Sequence, residues 1–267
     1  MKLRSIIFLS IATATTAAFA LNGANTFARL AVTNQFDDSI IAIPFAGCGE
    51  TDPEIYVTNL VMTANLEAGD TLMYKDGTTW YAWEIKNGAW SKMDSVTPEG
   101  TTVTPAADSV ALACGKAVWL SRKTPANKVY LYGQVNKTKP AGNVPLPGGT
   151  SAAPSYTIVG NPVENADLDL YLWKGKSFMT EGDMVIVPAV KDQQGKGSGQ
   201  KTYRYNGTDW TVVTTTETQV TNPFTKQVTV RKNVSYTAIS GAGTETISAG
   251  CGFLYGCVAS GKTLVWN

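Results

Sequence analysis

Residues 69–90 read GDTLMYKDGTTWYAWEIKNGAW, and residues 182–210 read GDMVIVPAVKDQQGKGSGQKTYRYNGTDW. Each stretch opens with Gly-Asp, runs into an apolar strand and crosses a polar turn. An aromatic-rich strand follows, and Asn-Gly stands shortly before a Trp. In the first copy Tyr81, Trp83 and Ile85 alternate with Trp80, Ala82, Glu84 and Lys86. That alternation predicts one face toward a core and one mostly toward solvent. Asn87-Gly88 suits a two-residue type I′ turn, in which both positions take positive φ. The block reads as the central hairpin of an antiparallel β unit, and its return predicts that the unit is used twice.

Outward from the block the landmarks recur in one order. Tyr156–Pro162 stands for Ile40–Phe45, and Asp167–Trp173 for the strand Ile55–Val61. Thr180-Glu181-Gly182-Asp183 aligns with Leu66–Asp70 with one residue fewer. Asn206-Gly207 aligns with Asn87-Gly88, and Trp210 with Trp90 after one inserted residue. Ala249-Gly250-Cys251-Gly252 aligns with Leu112-Ala113-Cys114-Gly115, and Lys262–Trp266 with Lys128–Leu131. The insertions, 191–201 and 214–244, are assigned to loops. Lys139–Ser155 (KPAGNVPLPGGTSAAPS) disfavours both helix and ladder and reads as a linker. The expected fold is therefore all-β. Two tandem antiparallel β-sandwich or barrel-like domains, 21–138 and 156–267, flank the linker 139–155. Helical periodicity is missing, and Ala166–Trp173 is the best place for a turn or two of helix.

The string Ile158-Val159-Gly160-Asn161-Pro162 is followed by apolar alternation, a Gly-Asp strand and a Gly-containing closing strand. This pattern resembles "GNP"-type β-sandwich modules of secreted and surface proteins of Gram-negative bacteria. The resemblance covers 155–267. Residues 40–135 depart from it, because Ile43-Pro44-Phe45 lacks the Gly-Asn. It implies an exported β-sandwich and assigns no chemistry.

Residues 1–20 carry Lys2 and Arg4, an apolar run from Ile6 to Ala18, and the small-residue site Ala18-Phe19-Ala20. This is the pattern of a signal peptide, with cleavage expected after Ala20. The run is too short for a membrane anchor, and no second run is long enough to span a bilayer. Export to the periplasm, cell surface or medium is the expectation. The net charge of +1 falls to about −1 without Lys2 and Arg4. A near-neutral chain without a basic run gives no electrostatic case for nucleic acid or anionic lipid.

The chain has no histidine. That removes the usual general base, the commonest metal ligand and every Ser-His or Cys-His nucleophile. Paired carboxylates remain for a hydrolase: Glu50, Asp52 and Glu54 in one loop, or Asp167 and Asp169 on one strand face. Glu164, Asp167 and Asp169 could supply oxygens to calcium, but the alternating Asp/Asn loop closed by Glu is missing. Asp70 and Asp183 follow Gly at equivalent strand starts, where a carboxylate can accept nearby backbone N–H groups. Of the four cysteines, Cys48 and Cys114 are the expected disulfide pair. Cys251 and Cys257 stand too far apart if one straight strand joins them. Zinc is disfavoured by the lack of C-x₂-C and of histidine. Trp80, Trp90, Tyr203, Tyr205 and Trp210 lie in or beside the repeated hairpins, where aromatic faces could stack on sugar rings; they could equally fill a thin β core.

The function expected from these residues is a non-catalytic surface or extracellular protein with a structural or adhesive role. No cofactor or metal is called for, and a glycan or cell-surface polymer is the candidate partner. A carbohydrate-binding module is the first alternative and a two-carboxylate hydrolase the second.

Overall fold

Alternating Val, Ile, Tyr, Trp and Thr, broken by Gly and Asn turns, favours pleated strands over helix. A computed structural model describes residues 7–11, 14–20, 26–35, 38–43, 55–56, 66–76, 79–93, 111–112, 115–123, 126–135, 143–161, 167–188, 190–191, 197–221, 228–248 and 250–266. The regular elements among these residues are all β-strands, in antiparallel ladders. The protein is all-β and sandwich-like. At Ala166–Trp173 the described part is a two-residue strand, Leu168–Asp169, and one turn closed by Trp173 N–H donating to Asp169 O at 2.8 Å.

Two principal sheets hold eleven strands, numbered here in chain order. The first sheet contains β1 (Asp38–Ala42), β2 (Thr71–Asp76), β3 (Thr79–Lys86), β4 (Ala89–Lys92) and β5 (Ala117–Ser121). The second contains β6 (Ser155–Gly160), β7 (Met184–Val187), β8 (Lys201–Tyr205), β9 (Trp210–Thr221), β10 (Val228–Ala238) and β11 (Gly252–Cys257). Their orders are β1-β5-β2-β3-β4 and β6-β11-β7-β8-β9-β10. The two orders are the same, with β10 added at the end of the second. The smaller pairings repeat as well. Ile55–Tyr56 pairs Ala111–Leu112 as Leu168–Asp169 pairs Thr246–Ile247. Thr26–Gln35 pairs Ala126–Val135 as Val144–Leu146 pairs Lys262–Leu264.

The registers correct three of the sequence alignments. Ile85 pairs Trp90 and Tyr205 pairs Trp210, so the two tryptophans are equivalent with no insertion. The Asn-Gly pairs are instead offset by one residue. Asn87 (φ 52°) and Gly88 (φ 75°) form the two-residue turn, whereas in the second copy Asn206 N–H donates to Asp209 O at 3.0 Å and encloses Gly207 (φ 94°) and Thr208. Gly115 and Gly250, at φ 83° and 76°, are the true partners before the returning strands. Cys251 therefore matches Lys116, not Cys114. Glu67 and Thr180 are equivalent, so the stretch before each Gly-Asp needs no gap. Identical letters need not hold the same backbone position, which the ladder fixes.

The stretch read as a linker is partly sheet. Val144 and Leu146 are buried, and Pro145 between them is exposed. Gly149 N–H donates to Cys257 O at 3.0 Å. Pro145 sits on a short two-stranded ladder, where a missing N–H is tolerated. The residues read as a signal peptide are strands here. Ile7–Ile11 pairs Ala14–Ala20, which pairs Thr26–Gln35. Cys48, Cys114, Glu50, Asp52, Glu54 and Glu164 lie outside the described residues.

The principal sheets meet reciprocally. Ile41 forms an antiparallel bridge with Cys251, and Val159 forms one with Lys116. Ala42 N–H donates to Gly250 O at 2.9 Å, and Gly160 N–H to Gly115 O at 3.1 Å. Ile41 and Val159 are equivalent, as are Lys116 and Cys251. This i-to-j, j-to-i pattern is that of a twofold interface, built here within one chain. Ile40, Ala117 and Ile158 are buried there, with Trp80, Trp119 and Leu254 packed against them. The face of β3 expected to meet solvent is accordingly partly interior. Ala82 is buried beside Met73, with Trp80, Trp119 and Met93 around them.

Candidate functional site

Each Gly-Asp start is a small buried hydrogen-bonding centre. Gly69 and Gly182 take φ 88° and 97°, where a side chain would be strained. The turn they make aims the next carboxylate inward, and Asp70 and Asp183 are both fully buried. Asp70 accepts Glu67 N–H at 2.9 Å and Lys123 N–H at 2.8 Å. Asp183 accepts the equivalent Thr180 N–H at 2.8 Å and Val258 N–H at 2.9 Å. The third partner differs. Arg122 Nε lies 3.5 Å from Asp70, whereas Tyr255 O–H donates to Asp183 at 2.6 Å. A buried carboxylate is tolerable only when its lone pairs are met in this way. These two carboxylates tie the start of one strand to the end of its neighbour.

The five aromatics proposed for sugar stacking separate into two groups. Tyr203, Tyr205 and Trp210 are buried in the core of the second sheet. Trp173 stands at the centre of that core. Trp210 and Trp266 stack on it with centroids at 6.1 and 5.7 Å, and Phe253 and Tyr255 meet it edge-on. Trp210 Nε1–H donates to Trp173 O at 2.7 Å. These three rings present no face to a ligand, because β8 and the start of β9 turn them toward the interior. Trp80 is half-buried between the sheets, with Lys75 Nζ 5.5 Å from its ring centre. Trp90 is half-buried on β4. The five do not form one surface.

The acidic groups are likewise engaged. Asp169 accepts Tyr171 N–H at 2.9 Å and Gly243 N–H at 2.7 Å, closing loops on either side. No group of three or more His, Cys, Asp or Glu residues able to hold a metal occurs among the described residues. Glu245 accepts Lys201 Nζ at 2.7 Å and Tyr203 O–H at 2.6 Å. Burial opposes the charged form of Glu245, but these bonds and the charge of Lys201 outweigh it and hold its pKa below the ordinary value. Cys251 and Cys257 are free thiols. Burial, with the charge of Asp167 adding to it, pushes Cys251 up to about 11, so the reactive thiolate is scarce at neutral pH.

The candidate site that emerges was missed in the sequence. Residues 214–244, expected to be loop, contain most of a long ribbon made by β9 and β10. Pairing with β8 ends at Val213, and beyond it β9 pairs only with β10 among the described residues. Thr214–Gln219 and Val230–Ala238 are exposed throughout. Register places Val230, Lys232, Val234 and Tyr236 on one face, opposite Gln219, Glu217, Thr215 and Val213. Val230, Val234 and Tyr236 are 49%, 50% and 53% exposed, high values for such side chains. Lys232 Nζ lies 3.1 Å from Glu217 Oε1 in the middle of that face, and Arg204 stacks on Tyr236 at its base with 5.8 Å to the ring centre. The other face carries Thr214, Thr216, Thr218, Arg231, Asn233 and Ser235. Some of these bond across the ribbon, as Ser235 O–H does to Thr214 O at 3.4 Å. The signal was present in VTVRKNVSYTA, where Val, Val and Tyr recur at strand spacing. The segment has no counterpart in the first copy of the repeat, so the shared landmarks do not mark it.

Comparison of the chain with protein-family models, with curated proteins and with solved structures gives no match.

Proposed function

We propose that the chain is an exported, non-catalytic surface or extracellular protein whose role is structural or adhesive. The observation that carries this reading is the β9–β10 ribbon. It extends the second sheet where the first has no described counterpart, and it exposes one face that carries Val230, Val234 and Tyr236 around the Glu217–Lys232 pair and one face that is polar. A ribbon of this kind contributes contact area, and contact is what an adhesive or structural protein sells to its partner. The engagement of Asp70, Asp183, Asp169 and Glu245 in internal bonds supports a non-catalytic role. The basic start, apolar run and Ala18-Phe19-Ala20 site support export. Cleavage after Ala20 would remove two strands from the sheet of Thr26–Gln35, which keeps Ala126–Val135 on its other side.

The test is expression of the full chain in a Gram-negative host, with fractionation and N-terminal sequencing of the product. The reading expects a mature chain beginning at Leu21 outside the cytoplasm, and retention of that chain on cell-surface polymer. An intact N-terminus in the cytoplasmic fraction would overturn it. A glycan array read by Trp fluorescence addresses the polymer.

A further inference from the structure

A lone two-stranded ribbon is marginal in water, and an exposed apolar strand face is a site that folded proteins cover. We propose that the face of β9–β10 that carries Val230, Val234 and Tyr236 packs on the same face of a second copy of this chain, with a twofold axis running along the ribbon. This deepens the surface role above and rests on it for its biological setting only.

Charge selects the second copy and its orientation. Among the described residues of β9 and β10 the face bears one acid and one base, Glu217 and Lys232, at the same height and paired with each other within one copy, while Arg204 of β8 stands at its foot against Tyr236. Placing β9 opposite the partner's β10 sets each Glu217 against the Lys232 of the other copy. The same placement puts Val234 over Thr215, Val230 over Gln219 and Tyr236 over Val213. Placing β9 on β9 would instead oppose like charges, which is unfavourable. Edge-to-edge addition is disfavoured separately, because Arg231 and Lys232 give β10 adjacent positive charges along its length. Face-to-face packing turns two weak ribbons into one four-stranded, two-layer unit with a buried interior.

The experiment is sedimentation velocity on the full chain over a concentration series, with two sets of variants. The wild type is expected to form a dimer. Val230→Thr, Val234→Thr and Tyr236→Thr together keep strand propensity while removing the apolar stripe. They are expected to weaken the dimer more than about a hundredfold, with the far-ultraviolet circular dichroism unchanged. Mixed Glu217→Cys and Lys232→Cys proteins are expected to cross-link to each other under mild oxidation, and neither to itself. A wild type that is monomeric throughout, or a triple variant that still dimerises, overturns the proposal. Cross-linking of Glu217→Cys to itself overturns the orientation. A monomer that still reaches and holds the cell surface removes this pairing and leaves the surface role standing.

Discussion

Ala42 and Gly160 hold equivalent places in the two principal sheets and lie against each other where the sheets meet. A Cβ built on Gly160 would stand 2.6 Å from Ala42 Cα, Ala42 Cβ and Lys116 O alike. A second such pair, Ala117 and Gly252, has its Cβ contact at 2.8 Å. At each position one copy keeps a methyl and the other gives it up. A symmetric interface with Ala on both sides would not close.

Gly160→Ala is therefore expected to destabilise the chain by about 1–3 kcal/mol, the range for overpacking a closed interior. Adding Ala42→Gly should restore only part of that loss, because Ala42 Cα and Lys116 O are backbone and remain in the way. Urea midpoints of the two variants and the double variant measure it. An unchanged midpoint for Gly160→Ala would show that the sheets can separate without cost.

The buried carboxylates allow a comparison within one molecule. Asp70→Ala takes the carboxylate away from the buried Arg122 guanidinium, and removing one partner of a buried pair typically costs about 3–5 kcal/mol. Asp183→Ala leaves a phenol and two backbone N–H groups without an acceptor, each worth about 1–3 kcal/mol. Both variants should be strongly destabilised, but only the first should be partly rescued by neutralising a neighbour, with Arg122→Met. Thermal unfolding of the four proteins decides this. Equal behaviour of Asp70→Ala with and without Arg122→Met would remove the ion pair from the account.

Much of this architecture is legible in the sequence. The Gly-Asp and Trp landmarks are dictated by local backbone geometry and core volume, so they survive in both copies and can be read. The hairpin turn at Asn87-Gly88 was legible for the same reason. What was hidden depends on partners distant in sequence. Ala82 and Trp80 were assigned to solvent because alternation shows two faces but cannot show that a second sheet covers the outer one. Tyr203, Tyr205 and Trp210 could be core or ligand platform until the position of Trp173 was known. The ribbon is hard to read because residues 214–244 have no counterpart in the first copy, so no repeated landmark marks them as strand.

Alkaline pH gives a separate handle. Burial pushes the Tyr255 phenol well above its ordinary value, and the charge and hydrogen bond of Asp183 add to the effect. Burial, then Glu245, shifts Tyr203 the same way. A group whose folded value is raised contributes stability that is complete below its unfolded value, about 10 for tyrosine, and is lost as pH climbs from there toward the folded value. The protein should therefore lose stability steadily above about pH 10. Tyr255→Phe should cost about 1.5–3 kcal/mol at neutral pH, from the lost bond to a carboxylate. It should also flatten the alkaline loss. Urea unfolding at a series of pH values checks both, and an alkaline slope as steep in the variant as in the wild type would contradict the assignment.

Trp210 separates the core from the sugar-binding reading. It is 1% exposed, stacks on Trp173 and donates its Nε1–H to Trp173 O. Trp210→Ala removes a large buried ring and should cost about 3–5 kcal/mol. Trp210→Phe keeps much of the ring but leaves the Trp173 carbonyl without this donor, for a loss of about 1–3 kcal/mol. Trp90→Ala, at a half-buried ring on β4, should cost less than Trp210→Ala. Chemical denaturation ranks the three, and titration with any glycan found on the array supplies the opposing measurement. If Trp210 served as a stacking platform, Trp210→Phe would weaken glycan binding while leaving the unfolding midpoint where it was. The core position requires the midpoint to fall in every Trp210 variant, whether or not a glycan is bound.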